Sequence, residues 1–342
     1  ATNGEYTIVI NCEKAPYVAG DFTINFKVSW NSYFIGMDDT KYKLPYSNDS
    51  TTSGTSLYAL CNVSSGGTFI YDGYSGKIKG IHFGSDWNAL TVAPNYFCAN
   101  LFYQVNVLEV NFPQNIITCY QRFAFQMFRY CTSMTSLPSG FNIPQGIISV
   151  DSHFCYHMFE QNSSLTSLPS GFNIPQGITS AGNYFCSAMF LSTAISSLPS
   201  GFNIPQNFVT VQSNFCSEMF VGTNITIYPS GFNIPQGITS CGDAFLMGLF
   251  STSQIIKIPT GFQIPQNIAT YGTHFCANLF RRCYSFQYDP ISSYTLNFPT
   301  NPSGKTQFLS QAFQDITSFL GTPGIDSGGN VTPGSQIKMS IS

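Results

Sequence analysis

The side chains able to do chemistry are few. The chain holds four histidines, His82, His153, His157 and His274. His153 and His157 flank Cys155 and follow Asp151. Histidines at i and i+4 share one face of a helix, which is a metal-ligand spacing. The position of His153 recurs along the chain as Tyr96, Arg122, His153, Tyr184, Asn214, Ala244 and His274. Such variety describes an exposed position, so His153, Cys155 and His157 form only a weak metal set, and no metal or other cofactor is expected. Hydrolysis needs a nucleophile beside a base. The sequence has no Gly-x-Ser-x-Gly elbow. Its carboxylates fall in no repeated pair, against a glycosidase. No phosphate-cradling glycine loop occurs. No catalytic residue is assigned, and an enzyme is not expected.

Cysteine is the other reactive type, with eleven copies. Cys98, Cys155, Cys186, Cys216 and Cys276 share one phase of a repeat. The two units that break this column carry Ala124 and Leu246 there, with Cys119 and Cys241 five residues earlier. The plainer reading is a ladder of buried thiols, since free cysteine packs like a small apolar residue. The sharper one has Cys119 and Cys241 bridging to neighbouring units, and Cys12 bridging to Cys61. An odd number leaves at least one thiol unpaired within a monomer. No Cys-x-x-Cys is present, which speaks against zinc ribbons and thioredoxin chemistry. Asn48, Asn62, Asn162, Asn224 and Asn330 head Asn-x-Ser/Thr sequons, which matter where the source glycosylates.

Charge narrows the classes. Lysine plus arginine number 13 and aspartate plus glutamate 16, for a net charge of -3. Charged residues make up 8% of the 342, against roughly 25% in an average soluble domain. The surface must therefore be polar without charge, built from Ser, Thr, Asn, Gln and Gly. Such surfaces suit the outside of a cell. Between Arg129 and Lys257 there is no lysine or arginine, so nucleic acid is not an expected partner. No apolar run reaches the roughly 18 residues of a membrane helix. The chain opens at Ala1 without an initiator Met, as expected after removal of a signal peptide. With 32 phenylalanines and 19 tyrosines there is material for a large core.

What would position these groups is a repeat. Gly-Phe-Asn-Ile-Pro-Gln recurs at Gly140, Gly171, Gly201 and Gly231, and Gly-Phe-Gln-Ile-Pro-Gln begins at Gly261. Its proline falls at Pro113, Pro144, Pro175, Pro205, Pro235 and Pro265, at spacings of 31, 31, 30, 30 and 30. A second marker, Phe-Cys-x-x-Met-Phe, runs through Phe97, Phe123, Phe154, Phe185, Phe215, Phe245 and Phe275, with a degenerate copy at Phe308. Within residues 183–190, Phe185, Cys186, Met189 and Phe190 sit at i, i+1, i+4 and i+5, the spacing of a short helix. Residues 195–198 read as a strand closed by Pro199, and Pro-Ser-Gly at 199–201 reads as a turn. One unit cannot bury its own apolar face; stacked units can. The constant phase of the phenylalanines predicts one internal row of rings.

Residues 127–138, Met-Phe-Arg-Tyr-Cys-Thr-Ser-Met-Thr-Ser-Leu-Pro, and 158–169, Met-Phe-Glu-Gln-Asn-Ser-Ser-Leu-Thr-Ser-Leu-Pro, resemble the BspA-type leucine-rich repeat. The resemblance covers residues 90–290, and Cys131 and Cys283 keep the family's cysteine. It implies an α+β repeat protein: a leucine-rich-repeat-like solenoid of seven to eight units of about 30 residues, each a short helix plus a strand. Members are mostly bacterial, protist or phage surface proteins, often adhesive.

The expected division is a β-rich domain at 1–88, the solenoid at 89–290, and a cap, linker and terminal strand at 291–342. In the first part, residues 6–10, 22–28, 56–60, 68–71 and 77–83 read as strands of a sandwich or capping sheet that uses Trp30 and Trp87. At the other end, five glycines and two prolines in residues 321–335 read as a linker. In the strand after it, Ile337, Met339 and Ile341 share one face. That strand is expected either to dock on a second copy of the chain or to pair within its own chain, against the last repeat or the tail. The function expected is a non-enzymatic extracellular surface protein, structural or adhesive, self-assembling into a filament or array. A receptor protein binding a host protein or glycan is the alternative, and a surface hydrolase the third reading.

Overall fold

In a computed structural model of the chain, residues 32–39, 41–43, 77–300 and 305–339 are described. The strands among them are short. They are β1 (Tyr33–Gly36), β2 (Lys41–Lys43), β3 (Ile78–His82), β4 (Val92–Ala93), β5 (Glu109–Val110), β6 (Thr118–Cys119), β7 (Ser149–Val150), β8 (Ser180–Ala181), β9 (Thr210–Val211), β10 (Ser240–Cys241), β11 (Thr295–Asn297) and β12 (Gln336–Lys338).

The period of the sequence becomes the register of the sheets. Val92 lies opposite Thr118, Thr118 opposite Ser149 and Ser149 opposite Ser180, all in parallel pairs. The same holds for Thr210 with Ser240, and for the bridge from Ser240 to Thr270. Each unit thus sets its residues beside their own copies. The second residue of each of these strands points inward: Ala93, Cys119, Val150, Ala181, Val211 and Cys241 are buried. The preceding hydroxyls of Thr118, Ser149, Ser180, Thr210 and Ser240 keep the outer face polar without charge.

Phenylalanines fill the interior in rows. Phe97, Phe123, Phe154, Phe185, Phe215, Phe245, Phe275 and Phe308 stack with centroids 4.9–5.8 Å apart. A second row runs Phe102, Phe128, Phe159, Phe190, Phe220, Phe250, Phe280 and Phe313 at 5.2–6.0 Å. The Phe of the Gly-Phe-Asn-Ile-Pro-Gln string makes a third, Phe141, Phe172, Phe202, Phe232 and Phe262, at 6.0–6.4 Å. The expected internal row is present, with two more beside it.

The expected helices are not. No α-helix occurs among the described residues, and Ser85–Trp87 is a single 3-10 turn. The segments read as helical are wound with a cycle of four residues. In successive units the residue opening each cycle is left-handed: His153, His157 and Gln161 at φ 62, 56 and 62°, then Tyr184, Ala188 and Ser192 at 57, 50 and 55°. A left-handed residue every fourth position forbids a continuous α-helix, and outside glycine it costs about 1–2 kcal/mol. Sideways hydrogen bonds offset that cost. The amides of His153, Cys155, His157, Phe159 and Gln161 donate to the carbonyls of Asn183, Phe185, Ser187, Met189 and Leu191 in the next unit. Alternate amides thus serve lateral stacking instead of an intrahelical ladder. Over eight residues, a cycle of four and one of 3.6 put the same side chains inside, so the pattern could not separate them.

The glycine, asparagine and final glutamine of the recurring string each have a physical cause. Gly140, Gly171, Gly201, Gly231 and Gly261 all take φ between 78 and 87°, where an L side chain is strained. Each asparagine reaches across one unit. Asn173 Nδ2 donates to Gly201 O at 3.0 Å, while Asn173 Oδ1 accepts from the amides of Ile174 and Asn203 at 2.9 and 3.1 Å. Asn142, Asn203 and Asn233 repeat the pattern. Gln176 Nε2 donates to the carbonyls of Ile174 and Asn203. Gln263 departs from asparagine because the chain beyond it is no longer a regular unit. Its longer arm reaches β11, donating to Thr295 O at 2.8 Å and accepting from Asn297 N at 3.1 Å.

Both ends run into the stack. β1 pairs antiparallel with β2 and β3, and β3 pairs parallel with β5 of the first unit. Phe83 stacks on Phe97, and buried Trp87 meets it edge-on. Trp30 and the expected strands at 6–10, 22–28, 56–60 and 68–71 lie outside the described residues. At the far end, residues 321–335 fold back as a lid. Phe313 N donates to Gly329 O, Val331 N donates to Leu309 O, and Ile325 and Val331 are buried. β12 pairs antiparallel with β11, Ile337 opposite Leu296, and a bridge joins Met339 to Tyr288. Ile337 and Met339 are buried within their own chain. The docking strand expected for a neighbour is thus used internally, because the lid brings it back onto the last strand; Ile341 lies outside the described residues.

Candidate functional site

Among the described residues, half-exposed aromatic and charged side chains gather on one face of the first four units, the turn face, which the segments with the left-handed residues build. Arg122 lies against two rings, its guanidinium carbon 4.8 Å from the Tyr96 ring centre and 5.5 Å from that of Phe125, and it donates to the Tyr96 hydroxyl. Phe125 packs on Tyr156 at 5.7 Å and edge-on to His153 at 6.1 Å. His153 stacks on Tyr184 at 4.8 Å and 17°. Tyr156 meets both Tyr184 and His157. The left-handed backbone at His153, His157 and Tyr184 holds these residues on the outer side while Phe154, Cys155, Met158 and Phe159 fill the core.

A charge network braces the ridge. Arg129 Nε lies 2.7 Å from Glu160 Oε2, and His157 Nδ1 lies 2.6 Å from the same oxygen. Arg129 also covers the Tyr130 ring. Burial opposes ionisation of Glu160, but the His157 hydrogen bond and the charges of His157 and Arg129 prevail and hold its carboxyl below the usual value of 4.5. The sign of the stability effect follows. A carboxyl depressed in the folded state stabilises fully above its unfolded value and loses that contribution as pH falls through the folded one. The protein is therefore expected to lose stability between about pH 5 and 3 more steeply than a Glu160→Gln variant. Urea midpoints measured across that range check it; parallel curves would deny Glu160 this role. Burial, and then Arg122, push His153 below its usual value, so it is neutral at pH 7.

The metal set is not assembled. Cys155 points into the core, His157 is engaged by Glu160, and His153 stacks on Tyr184. No group of three or more potential ligands is placed to hold an ion among the described residues. Cys119 and Cys241, which the sharper reading has bridging to neighbouring units, are free and buried on β6 and β10, as the plainer reading has them, and Cys131, Cys155, Cys186, Cys216, Cys276 and Cys283 are free and buried as well. Inward strand positions place them beside apolar rows. Burial pushes the Cys241 and Cys283 thiols up to about 12 and that of Cys131 to about 11, leaving little reactive thiolate. Cys12, Cys61, Asn48 and Asn62 lie outside the described residues. Among the sequons, Asn224 and Asn330 are exposed, but Asn162 is wholly buried and closed to a glycan in the folded chain. It occupies the inward column of Cys131, Thr193 and Thr223.

A second polar cluster stitches the amino-terminal strands to the first unit. The Tyr33 hydroxyl donates to Glu109 at 2.9 Å, His82 Nδ1 lies 2.7 Å from Glu109 Oε1, and the Tyr33 and His82 rings stack.

Sequence reasoning took the varied column of Tyr96, Arg122, His153 and Tyr184 as simple exposure. Its signal was the run of planar side chains in consecutive units, which stacking turns into one surface.

No protein-family profile matches the chain, and no curated protein matches it. Among solved structures it is similar to a leucine-rich repeat protein from Bacteroides ovatus, at 10% identity over 61% of this chain. The chain spans 65% of that protein's length, and the TM-score is 0.19. The repeat-like, strand-rich architecture stands on the ladders of this chain itself.

Proposed function

We propose that the protein is a non-enzymatic extracellular surface protein of the BspA-like repeat kind, whose turn-face ridge adheres to a partner. The ridge carries this reading. Tyr96, Arg122, Phe125, His153, Tyr156 and Tyr184 form one continuous half-exposed surface of rings and a cation, the composition enriched in the cores of recognition surfaces. An outer face of hydroxyls and amides suits an extracellular setting. No described helix is long and apolar enough to cross a membrane. Assembly through an exchanged terminal strand is not part of the proposal, because that strand lies against its own chain.

Adhesion of protein-coated beads to host or bacterial cells tests it, with Arg122→Ala/Tyr156→Ser as the comparison. The double variant is expected to retain at most about a tenth of wild-type adhesion while its thermal midpoint stays close, as for a central cluster of recognition residues. Equal adhesion by both proteins, or none by the wild type on any surface tried, would sink the reading.

A further inference from the structure

An inward column of small polar residues runs through the stack. It holds Cys131, Asn162, Thr193, Thr223, Ser253 and Cys283, one in each unit from the second to the seventh, and all are buried. Their backbones are in register. Each amide donates to the carbonyl of the phenylalanine three residues earlier, from Cys131 N to Phe128 O through to Cys283 N to Phe280 O. Five of the six side chains find a partner. Thr193 and Thr223 donate their hydroxyls to Phe190 O and Phe220 O, each at 3.0 Å. Cys131 and Cys283 donate to Phe102 O and Phe250 O at 2.8 and 2.9 Å, and the Ser253 hydroxyl lies 3.7 Å from the Cys283 sulfur.

Asn162 breaks the pattern. It is wholly buried, and neither its Nδ2 nor its Oδ1 has a hydrogen-bond partner among the described residues. A carboxamide brings two N–H donors and an acceptor into the core. Left unpaired away from water, they carry their full desolvation cost. The junction toward the second unit is braced from outside by the Arg129–Glu160 pair. The junction toward the fourth is spanned by main-chain bonds such as Gln161 N to Leu191 O and Ala194 N to Asn162 O, with no ion pair across it among the described residues.

We infer that Asn162 makes the junction of the third and fourth units a soft joint, where the stack opens locally ahead of global unfolding. Stability in a stack is nearly a sum of unit and neighbour terms, so a penalty in one unit stays local. Regions that carry such penalties open at a lower free energy than the whole chain. The third unit also carries His153, Tyr156 and His157, and Tyr184 stands across the joint, stacked on His153 at 4.8 Å. Opening parts that stack and reshapes the ridge while the units on either side stay folded. The joint holds whether or not the ridge adheres, because it rests on Asn162 alone.

Native-state hydrogen exchange of the full chain, read amide by amide and corrected for intrinsic rates, tests it. The Gln161 and Ala194 amides are expected to exchange about tenfold faster than those of Ser192 and Thr252, which bond to Val221 O and Arg281 O one and three junctions further on. Threonine is close to asparagine in volume, and at position 162 its hydroxyl would meet Phe159 O as that of Thr193 meets Phe190 O. Asn162→Thr is therefore expected to bring Gln161 and Ala194 within about twofold of the other two amides and to raise the urea midpoint. Asn162→Thr/Thr193→Asn should move the fast exchange one unit along, to Ser192; should that variant not fold, the single one decides. Uniform protection in the wild type overturns the joint. So does a urea midpoint unchanged or lowered by Asn162→Thr, the result expected where an internal water already satisfies the amide.

Discussion

Phe185→Ala is expected to destabilise the protein by about 3–5 kcal/mol, the cost of emptying a phenylalanine site that cannot collapse. Phe185 is fully buried, stacked on Phe154 at 5.7 Å and Phe215 at 5.1 Å, with Phe208 edge-on at 5.4 Å. Collapse would need the flanking units to approach. Their spacing is held by lateral hydrogen bonds, from Cys155 N to Phe185 O and from Cys186 N to Phe215 O. The cavity therefore stays open between two fixed rings. Stability in a stack is nearly a sum of unit and neighbour terms, so the weakest junction governs where the chain opens. Urea unfolding should show a lower midpoint, and amide exchange should quicken first on either side of the fourth unit. A loss below about 1 kcal/mol would mean that the rows relax freely.

Asn203→Ala is expected to cost about 2–3 kcal/mol, which is large for a half-exposed residue. Four bonds go at once: Asn203 Nδ2 to Gly231 O at 3.0 Å, and those accepted by Asn203 Oδ1 from Ile204 N at 2.9 Å, Asn233 N at 3.0 Å and Gln206 Nε2 at 3.5 Å. Each is worth about 0.5–1.5 kcal/mol net, and two backbone amides lose their acceptor inside a packed corner. Asn203→Asp keeps the acceptor and removes only the donor, so it should cost about half as much or less. Thermal and urea unfolding of the two variants side by side give the answer. Equal losses would show that the asparagine serves as a spacer and that its oxygen is dispensable.

The repeat was legible because periodic identity leaves few alternatives. Phe97, Phe123, Phe154 and Phe185 share a phase, and a ring in every unit can be buried only against its own copy. Inward and outward positions of β12 were legible too, since alternation of period two is a local property. The ridge was half legible. Tyr96, Arg122, His153 and Tyr184 were recognised as outward residues, but their stacking into one surface depends on a spacing that no single unit contains. The Glu160 network was not legible. Arg129 belongs to one unit and Glu160 to the next, and their meeting follows from register alone.

The amino-acid sequence by itself thus determined a stacked repeat of about 30 residues, its phenylalanine interior and its uncharged hydroxyl-and-amide surface, because each follows from periodicity and composition. Three matters were left to the tertiary structure. The winding of residues 183–190 was decided by lateral hydrogen bonds between units, since eight residues cannot tell a cycle of four from one of 3.6. Whether Cys119 and Cys241 would bridge was decided by inward strand positions that bury them as free thiols. The destination of Ile337 and Met339 was decided by the fold-back of residues 321–335, which sets β12 against β11 in the same chain: a linker's composition describes its freedom, and only the surface it meets decides where it stops.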